Sequence, residues 1–258
     1  MKKRIFGYIS IGLTLGLVAA AITFSSNLFG PVVTNAADVK SKPNYIKTRE
    51  QVNELPIVKD TILSANKNYS YLQGTVISTD KATGVQSKTN LWIEQPNRFR
   101  VEYIPDVTQL DVIEESVNNG DDIQTKGIDK KIKKSMPIKS IWKPKIIEEN
   151  AIYPDYNGTF LPIGGVNEML HPEIYTQSVF RRGQLTIIGE EEFLTRKVTL
   201  IQVDFEESKL GNRQNFWIDN KTGIILKTEI YDNDKVLQSM AFESIEFPAK
   251  IDDSKFRL

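Results

Sequence analysis

Residues 211–247 read GNRQNFWIDNKTGIILKTEIYDNDKVLQSMAFESIEF, in which three apolar and aromatic runs are separated by two turn sequences. The turn sequences are DNKTG at 219–223 and YDND at 231–234. Because Asn and Asp tolerate left-handed backbone angles and Gly adopts them freely, both turns favour β-hairpins. Consecutive hairpins predict an antiparallel meander. A meander is stable only when further strands and a packed face support it.

A two-residue hydrophobic period also appears upstream of this meander. Three segments there predict strands: 71–79 (YLQGTVIST), 88–95 (KTNLWIEQ) and 97–103 (NRFRVEY). In the last of them Phe99, Val101 and Tyr103 point to one side, while charged residues alternate on the other side. This alternation is typical of a strand with one buried face.

Strands are also predicted directly before the meander. The segments are 175–182 (YTQSVFRR), 184–191 (QLTIIGEE) and 196–207 (RKVTLIQVDFEE). In the last segment a second set of residues shares one side: Thr199, Ile201, Val203 and Phe205. These strands and the upstream ones predict a β-rich domain.

Helices are predicted at two places. Residues 45–66 carry apolar residues at helical spacing, and Pro56 predicts a kink within them. Residues 135–173 contain five prolines and predict an irregular insertion with a short helix at 165–170. Between these regions VNNG at 117–120 predicts another hairpin turn.

The N-terminus predicts a membrane segment. Lys2, Lys3 and Arg4 precede an uncharged apolar run at 5–24, which orients the N-terminus to the cytoplasm and the rest outside. About 20 residues at ~1.5 Å each span a bilayer core of roughly 30 Å. Small residues at 34–37 (TNAA) also fit a signal-peptidase site, so cleavage near Ala37 is the alternative. The predicted organisation is a signal anchor or signal peptide at 1–37, a linker at 38–44 and one domain at 45–258.

Composition excludes several kinds of function. The chain has 33 basic and 33 acidic residues, which argues against a nucleic-acid partner. It has no cysteine, which excludes lipid anchoring at cysteine, thiolate metal sites and a cysteine nucleophile. His171 is the only histidine, and no motif supplies a partner for it as a base. We therefore expect a protein that is not an enzyme and has no metal or cofactor.

The basic run KKIKK at 130–134 has two interpretations. It is either a solvated hairpin tip or a contact to anionic lipid headgroups near the anchor.

The order of these motifs resembles a known superfamily. A leading helix, then YLQGTV, LWIEQPNRFRVEY and NNGDDI, is similar to the lipoprotein carrier family LolA. The segments FWIDNKTGIILKTEIYD and AFESIEF, followed by the terminal IDDSKFRL, are similar to the sensor domains of RseB and MucB. Together the resemblance covers residues 45–258.

The resemblance implies an α+β fold. Its expected core is a strongly curved antiparallel sheet, an incomplete β-barrel, with helices on the concave side, preceded here by the N-terminal transmembrane or signal helix. It also implies a lipid or acyl chain as ligand, with a lipoprotein or an anti-sigma factor as further candidate partners. The membrane segment and the Pro-rich insertion argue against a freely diffusing carrier. The composition favours a Gram-positive bacterium, with the domain on the outer side of its cytoplasmic membrane or secreted.

Two functions therefore remain open. One is an anchored or secreted protein that holds a lipid or a lipoprotein acyl chain in an apolar hollow. The alternative is an envelope-stress sensor that binds an anti-sigma factor or another membrane protein. The predicted lining of the hollow, unless the sheet faces are reversed, is Phe99, Val101, Tyr103, Thr199, Ile201, Val203, Phe205, Trp92 and Trp217.

Overall fold

The computed structural model describes residue 58 and residues 60–110, 113–136, 159–173, 179, 183–206 and 211–258. They belong to a compact unit that runs from Asn44 to Leu258. The predicted anchor at 5–24, the linker at 38–44 and most of the predicted helix at 45–66 lie outside the described residues.

The described residues form one antiparallel sheet of eleven strands. The strands are β1 Tyr71–Asp80, β2 Gln86–Glu94, β3 Arg98–Ile104, β4 Glu114–Asn118, β5 Ile123–Lys126, β6 Ile132–Ser135, β7 Gln184–Phe193, β8 Arg196–Asp204, β9 Arg213–Asp219, β10 Ile225–Asp232 and β11 Lys235–Glu246. Their order is β6-β5-β4-β3-β2-β1-β11-β10-β9-β8-β7. The pairing of β1 with β11 joins two meanders, and β6 and β7 form opposite edges, so the sheet is not closed.

The predicted antiparallel sheet is thus confirmed, with one local exception. Val179 is helical, so the strand predicted at 175–182 is wrong at that residue, and its neighbours at 174–178 and 180–182 lie outside the described residues. Alternation of side chains in a short segment predicts a strand only if a partner strand is available, and tertiary packing overrides it otherwise.

The helical elements of the described residues are short. Residues 60–63 are helical and lead into a 3-10 helix at Ala65–Lys67. The helix predicted at 165–170 is present as α1, Asn167–Leu170. A second 3-10 helix, Asp253–Phe256, lies near the C-terminus.

One face of the sheet, which we call the core face, is continuous across both meanders. Directly paired residues lie on the same face, and so do residues two apart on one strand. Successive pairs carry the core face from β3 to β8: Val101–Leu91, Leu91–Gly74, Ser78–Met240, Met240–Thr228, Thr228–Phe216 and Phe216–Ile201. The two residue sets predicted from separate strands therefore share one face.

Two chain segments cover the core face. Ile62 and Ala65 come from the helical residues before β1, and both are fully buried in the same cluster as the strand residues. The second segment is residues 159–173, which we call the plug, and its helix α1 packs against β10. Both segments place apolar side chains where the sheet needs a cover.

The second face of β2, β3 and β4 is covered by the C-terminal segment. Val117 packs there with Ile251 and Phe256. The Arg98 guanidinium lies 4.1 Å from the centre of the Phe256 ring. The Arg100 Nη1 donates a 2.9 Å hydrogen bond to the carbonyl of Arg257. Both arginines thus lie opposite Phe99 and Val101, as the alternation predicted, and they fix the end of the chain.

Candidate functional site

The predicted strand residues lie together on the core face. Phe99 and Val203 are 0 % exposed, and Val101 and Ile201 are buried with them in one apolar cluster. Thr199 is also buried, and its Oγ1 donates a 2.7 Å hydrogen bond to the Asn220 side chain. The remaining two, Tyr103 and Phe205, are half-buried. Side chains of the protein itself therefore occupy most of this face.

Trp92 and Trp217 lie on the opposite face from these residues. Trp92 pairs with Arg100, and Trp217 pairs with Leu200 and Lys227. Lysine ammonium groups lie over both rings, that of Lys227 at 4.1 Å from Trp217. Each tryptophan stands between two core-face residues in sequence, in LWI and FWI, and the two-residue period of a strand sends it to the other side.

The plug supplies the side chains that sequence analysis did not assign to the site. Leu161 is 2 % exposed, and Val166, Met169 and Leu170 are 0 % exposed, all in the cluster with the core face. The sequence did predict a helix at this place. How this helix contacts the core face depends on the path of the chain at 159–166. No hydrophobic period in that segment predicts this path.

Polar contacts join the first half of the plug to Asn167 and to the sheet. The Leu161 amide donates to Asn167 Oδ1 at 2.9 Å, and Asn167 Nδ2 donates back to the Leu161 carbonyl at 2.7 Å. Thr89 Oγ1 on β2 donates to the Gly164 carbonyl at 3.2 Å. Gly164 and Gly165 have φ angles of +87° and +65°, a conformation that glycine adopts at low cost. This half of the plug is thus a tight turn that is bonded to β2 through Gly164, and Thr159 Oγ1 donates a further 3.3 Å hydrogen bond to Gln95 Oε1, directly after β2.

A buried polar pair closes the second half of the plug. His171 Nδ1 lies 3.1 Å from Glu173 Oε1, and Nε2 lies 3.2 Å from the Thr159 carbonyl oxygen. Because a carbonyl oxygen only accepts, Nε2 is the donor in its contact with Thr159. With His171 at 0 % and Glu173 at 1 % exposure, the pair joins parts of the plug and has no access to a substrate.

Tyr69 packs near this pair and remains protonated. Burial raises the pKa of the Tyr69 hydroxyl well above its usual value, and the negative charge of Glu173 raises it further. The Tyr69 ring meets the Phe247 ring edge to face at 5.8 Å. The polar pair of the plug is therefore bordered by a neutral aromatic residue.

Glu168 on α1 gives the plug a pH-dependent stability. Burial raises the pKa of its carboxyl to about 7. The unfolded chain has a pKa near 4.5, so in the window between these values the folded state binds more protons and stability falls as pH rises. Glu168→Gln should therefore raise the free energy of unfolding at pH 8 by ~2 kcal/mol and leave it nearly unchanged at pH 4, in urea titrations.

Glu243→Gln is the control for this prediction, because the Glu243 side chain is 58 % exposed and makes only a 3.5 Å ion pair. Its substitution should change stability by the same small amount at both pH values. Equal effects of the two substitutions at pH 8 would contradict the role of Glu168.

Two clefts among the described residues lie at one end of the sheet. The larger cleft has a volume of about 550 Å³ and is lined mainly by polar side chains. The aromatic rings of Tyr69, Tyr71 and Phe247 also line it. The smaller, of about 390 Å³, borders Arg196, Asp219 and Lys221. Ligand pockets of this size are mostly apolar, so the larger cleft with its polar lining does not fit an acyl chain.

The described ranges contain neither a metal centre nor a helix that could span a membrane. These ranges contain no group of three His, Asp or Glu side chains placed to hold a metal ion. No helix within them is long and apolar enough to cross a membrane.

Comparison with known proteins gives matches among solved structures. No family model matches the chain, and no curated protein matches it. A chain of the MucA/MucB complex from Pseudomonas aeruginosa is 14 % identical with a TM-score of 0.48, over 78 % of this chain and 60 % of that one. An uncharacterized conserved protein from Thermus thermophilus is 12 % identical with a TM-score of 0.45, over 80 % of this chain and 94 % of that one.

A LolA superfamily protein from Nitrosomonas europaea also matches, at 6 % identity and a TM-score of 0.28, over 78 % of this chain and 97 % of that one. These matches include MucB structures and a LolA superfamily protein, which are the groups that the sequence resembles. The likeness is one of fold alone. The chain spans 58–63 % of the length of the MucB structures it matches.

Proposed function

We propose that residues 45–258 form an extracytoplasmic binding domain that holds a lipid or a lipoprotein acyl chain against the core face. The observation that carries the proposal is that the plug covers this face with four apolar side chains, three of them on or directly before the four-residue helix α1. So short a helix is not stable alone and depends on its burial. Register shifts interrupt the pairing in β1–β11, β10–β11, β10–β9 and β7–β8. Because bulges bend strands, they support a core face with the concave form of an open barrel.

The energies of plug and ligand are comparable. Burying Leu161, Val166, Met169 and Leu170 gains about 2 kcal/mol for each side chain, or about 8 kcal/mol together. A methylene group gains ~0.8 kcal/mol on burial, so an acyl chain of roughly ten methylenes offsets displacement of the plug. A longer acyl chain gains more free energy on burial than displacement of the plug costs. The excess offsets the free-energy cost of association. The domain would thus bind by exchanging its own apolar side chains for a ligand, without chemistry on that ligand.

Photo-crosslinking tests this proposal. The full-length protein is placed in vesicles whose phospholipid carries a diazirine at the end of one acyl chain, irradiated, digested and mapped by mass spectrometry. We expect label on peptides of β2, β3 and β8 that contain core-face residues, in addition to the apolar segment 5–24. Label restricted to the apolar segment would refute lipid binding by the domain.

A reversible disulfide tests whether the plug must move. A Cβ at position 164 lies 3.6 Å from the Thr89 Cβ, within the range that disulfides need, and the chain has no other cysteine. Thr89→Cys with Gly164→Cys should therefore lock the plug when oxidised. We expect the locked protein to carry about tenfold less core-face label than the same protein after reduction.

The reduced protein is the matched control, because it carries both substitutions and any strain from cysteine at a φ of +87°. Equal labelling in the two states would show that a ligand reaches the core face without displacing the plug.

The alternative is a sensor that binds an anti-sigma factor or another membrane protein. The open edges of β6 and β7 favour it, since within the described strands each pairs on one side only. An exposed edge strand can accept a strand from another protein. In the crosslinking experiment, absence of acyl label from the core face would favour this function over lipid binding.

A further inference from the structure

The β5–β6 hairpin exposes apolar side chains at the edge of the sheet. Residues 128–136 (IDKKIKKSM) are all exposed, and among them Ile128 is 53 %, Ile132 54 % and Met136 71 % exposed. No other run of nine residues in the described ranges is exposed throughout. Single exposed aliphatic residues are common on protein surfaces, but three within nine residues form a patch.

The same hairpin concentrates positive charge. Four lysines lie in residues 128–136 against one acidic residue, Asp129. Lys131 lies 3.9 Å from Asp129, and Lys134 lies 3.6 Å from Asp122, with both lysine side chains mostly exposed. Such exposed pairs hold their partners weakly, so the lysines remain available to an external anion.

Further exposed apolar residues lie at the end of the sheet where the hairpin turns. The β1–β2 turn and the β3–β4 loop leave the sheet at this end because alternate strands run antiparallel. Val85 in the turn is 48 % exposed, and Leu110 in the loop is 64 % exposed. The hairpin therefore lies at an end of the sheet that carries more than one exposed aliphatic side chain.

We infer that the β5–β6 hairpin docks on an anionic lipid surface, with the lysines at the headgroups and Ile128 and Ile132 in the interface. Lysine alone on an edge strand is the ordinary protection against strand pairing. Isoleucine does not serve that purpose, whereas aliphatic side chains interleaved with lysine are what an anionic bilayer surface takes up. The contact is separate from the apolar segment 5–24 and from the core face.

A site-specific fluorophore tests the docking. Ile128→Cys in the otherwise cysteine-free full-length chain is labelled with an environment-sensitive dye and placed in vesicles that contain nitroxide-labelled lipid. We expect quenching in vesicles of equal parts phosphatidylglycerol and phosphatidylcholine, and little quenching in phosphatidylcholine alone. Lys→Gln substitution at 130, 131, 133 and 134 should weaken docking at least about tenfold, since each lysine near an anionic surface contributes about fivefold.

Two controls separate docking from mere proximity to the anchor. Ser70→Cys places the dye at the opposite end of the sheet, nearer in sequence to the apolar segment, and should stay unquenched in both vesicles. Lys→Gln substitution at 67, 197, 221 and 250 removes the same charge from exposed positions at that opposite end, and should leave quenching at Ile128→Cys unchanged.

Equal quenching in neutral and anionic vesicles would overturn the inference. So would quenching at Ile128→Cys that falls equally with both sets of lysine substitutions. A dye that stays unquenched in both vesicles and is shielded only in native membranes would assign the hairpin to a protein partner. Acyl labelling of the core face does not depend on the hairpin lysines, so failure of this inference and failure of the proposed function are distinguishable.

Discussion

Gly223→Ala should lower the free energy of unfolding by about 4 kcal/mol, measured by urea denaturation with tryptophan fluorescence. A Cβ at this position would lie 2.1 Å from the Thr61 carbonyl oxygen and 2.6 Å from its carbonyl carbon. These are backbone atoms of the helical residues before β1, so relief requires the helix to move from the sheet. The φ of +79° adds strain of its own.

Gly84→Ala is the matched control for this prediction. Gly84 also lies in a hairpin turn, with a φ of +76°, but nothing lies within 4 Å of its added Cβ. Its substitution should cost only the backbone strain, about 1 kcal/mol. Equal losses at the two glycines would mean that the β9–β10 turn does not depend on its contact with Thr61.

Asp219→Ala should lower the free energy of unfolding by about 3 kcal/mol in the same assay. Asp219 is 1 % exposed and accepts two hydrogen bonds from Arg196, at 2.8 and 2.9 Å. It also accepts from the amide and the hydroxyl of Thr222. Alanine would leave the Arg196 guanidinium, with its side chain 21 % exposed, without its carboxylate and would remove the bonds that close the turn.

Asp234→Ala provides the comparison. Asp234 lies in the other turn of the same meander, where its fully exposed side chain is 3.9 Å from Arg213. An exposed pair at this distance contributes little, so the loss should stay below about 0.5 kcal/mol. A loss at Asp219 as small as that at Asp234 would show that burial of the Arg196 pair does not stabilise the fold.

These two positions show how far the sequence alone predicts structure. The turn sequence at 219–223 predicts a hairpin from Asp, Asn and Gly, and the structure has that turn between β9 and β10. A reversal of the chain depends on the backbone angles of only a few residues, so the local composition predicts it. The same composition does not show that Gly223 contacts Thr61, since that contact joins residues far apart in sequence.

The arrangement of the candidate residues on the sheet faces was predicted in part. Alternation placed Phe99 with Val101 and Ile201 with Val203, because side chains two apart on a strand share a face. Whether the two sets face the same side depends on β1–β11 pairing, which joins strands from the two ends of the domain. Trp92 and Trp217 were assigned by size and aromatic character, but their strand positions place them on the second face.

Local sequence predicts strands β1–β3 and β7–β11, the turns at 117–120, 219–223 and 231–234 and the short helix α1, because each depends on residues near one another in the chain. It also determined the apolar alternation that requires a cover for one face. Within the described residues, the identity of that cover follows from contacts between distant parts of the chain. Val166, Met169 and Leu170 reach the core face because the path of the plug brings them there, and the free energy of burying apolar surface does not depend on distance along the sequence.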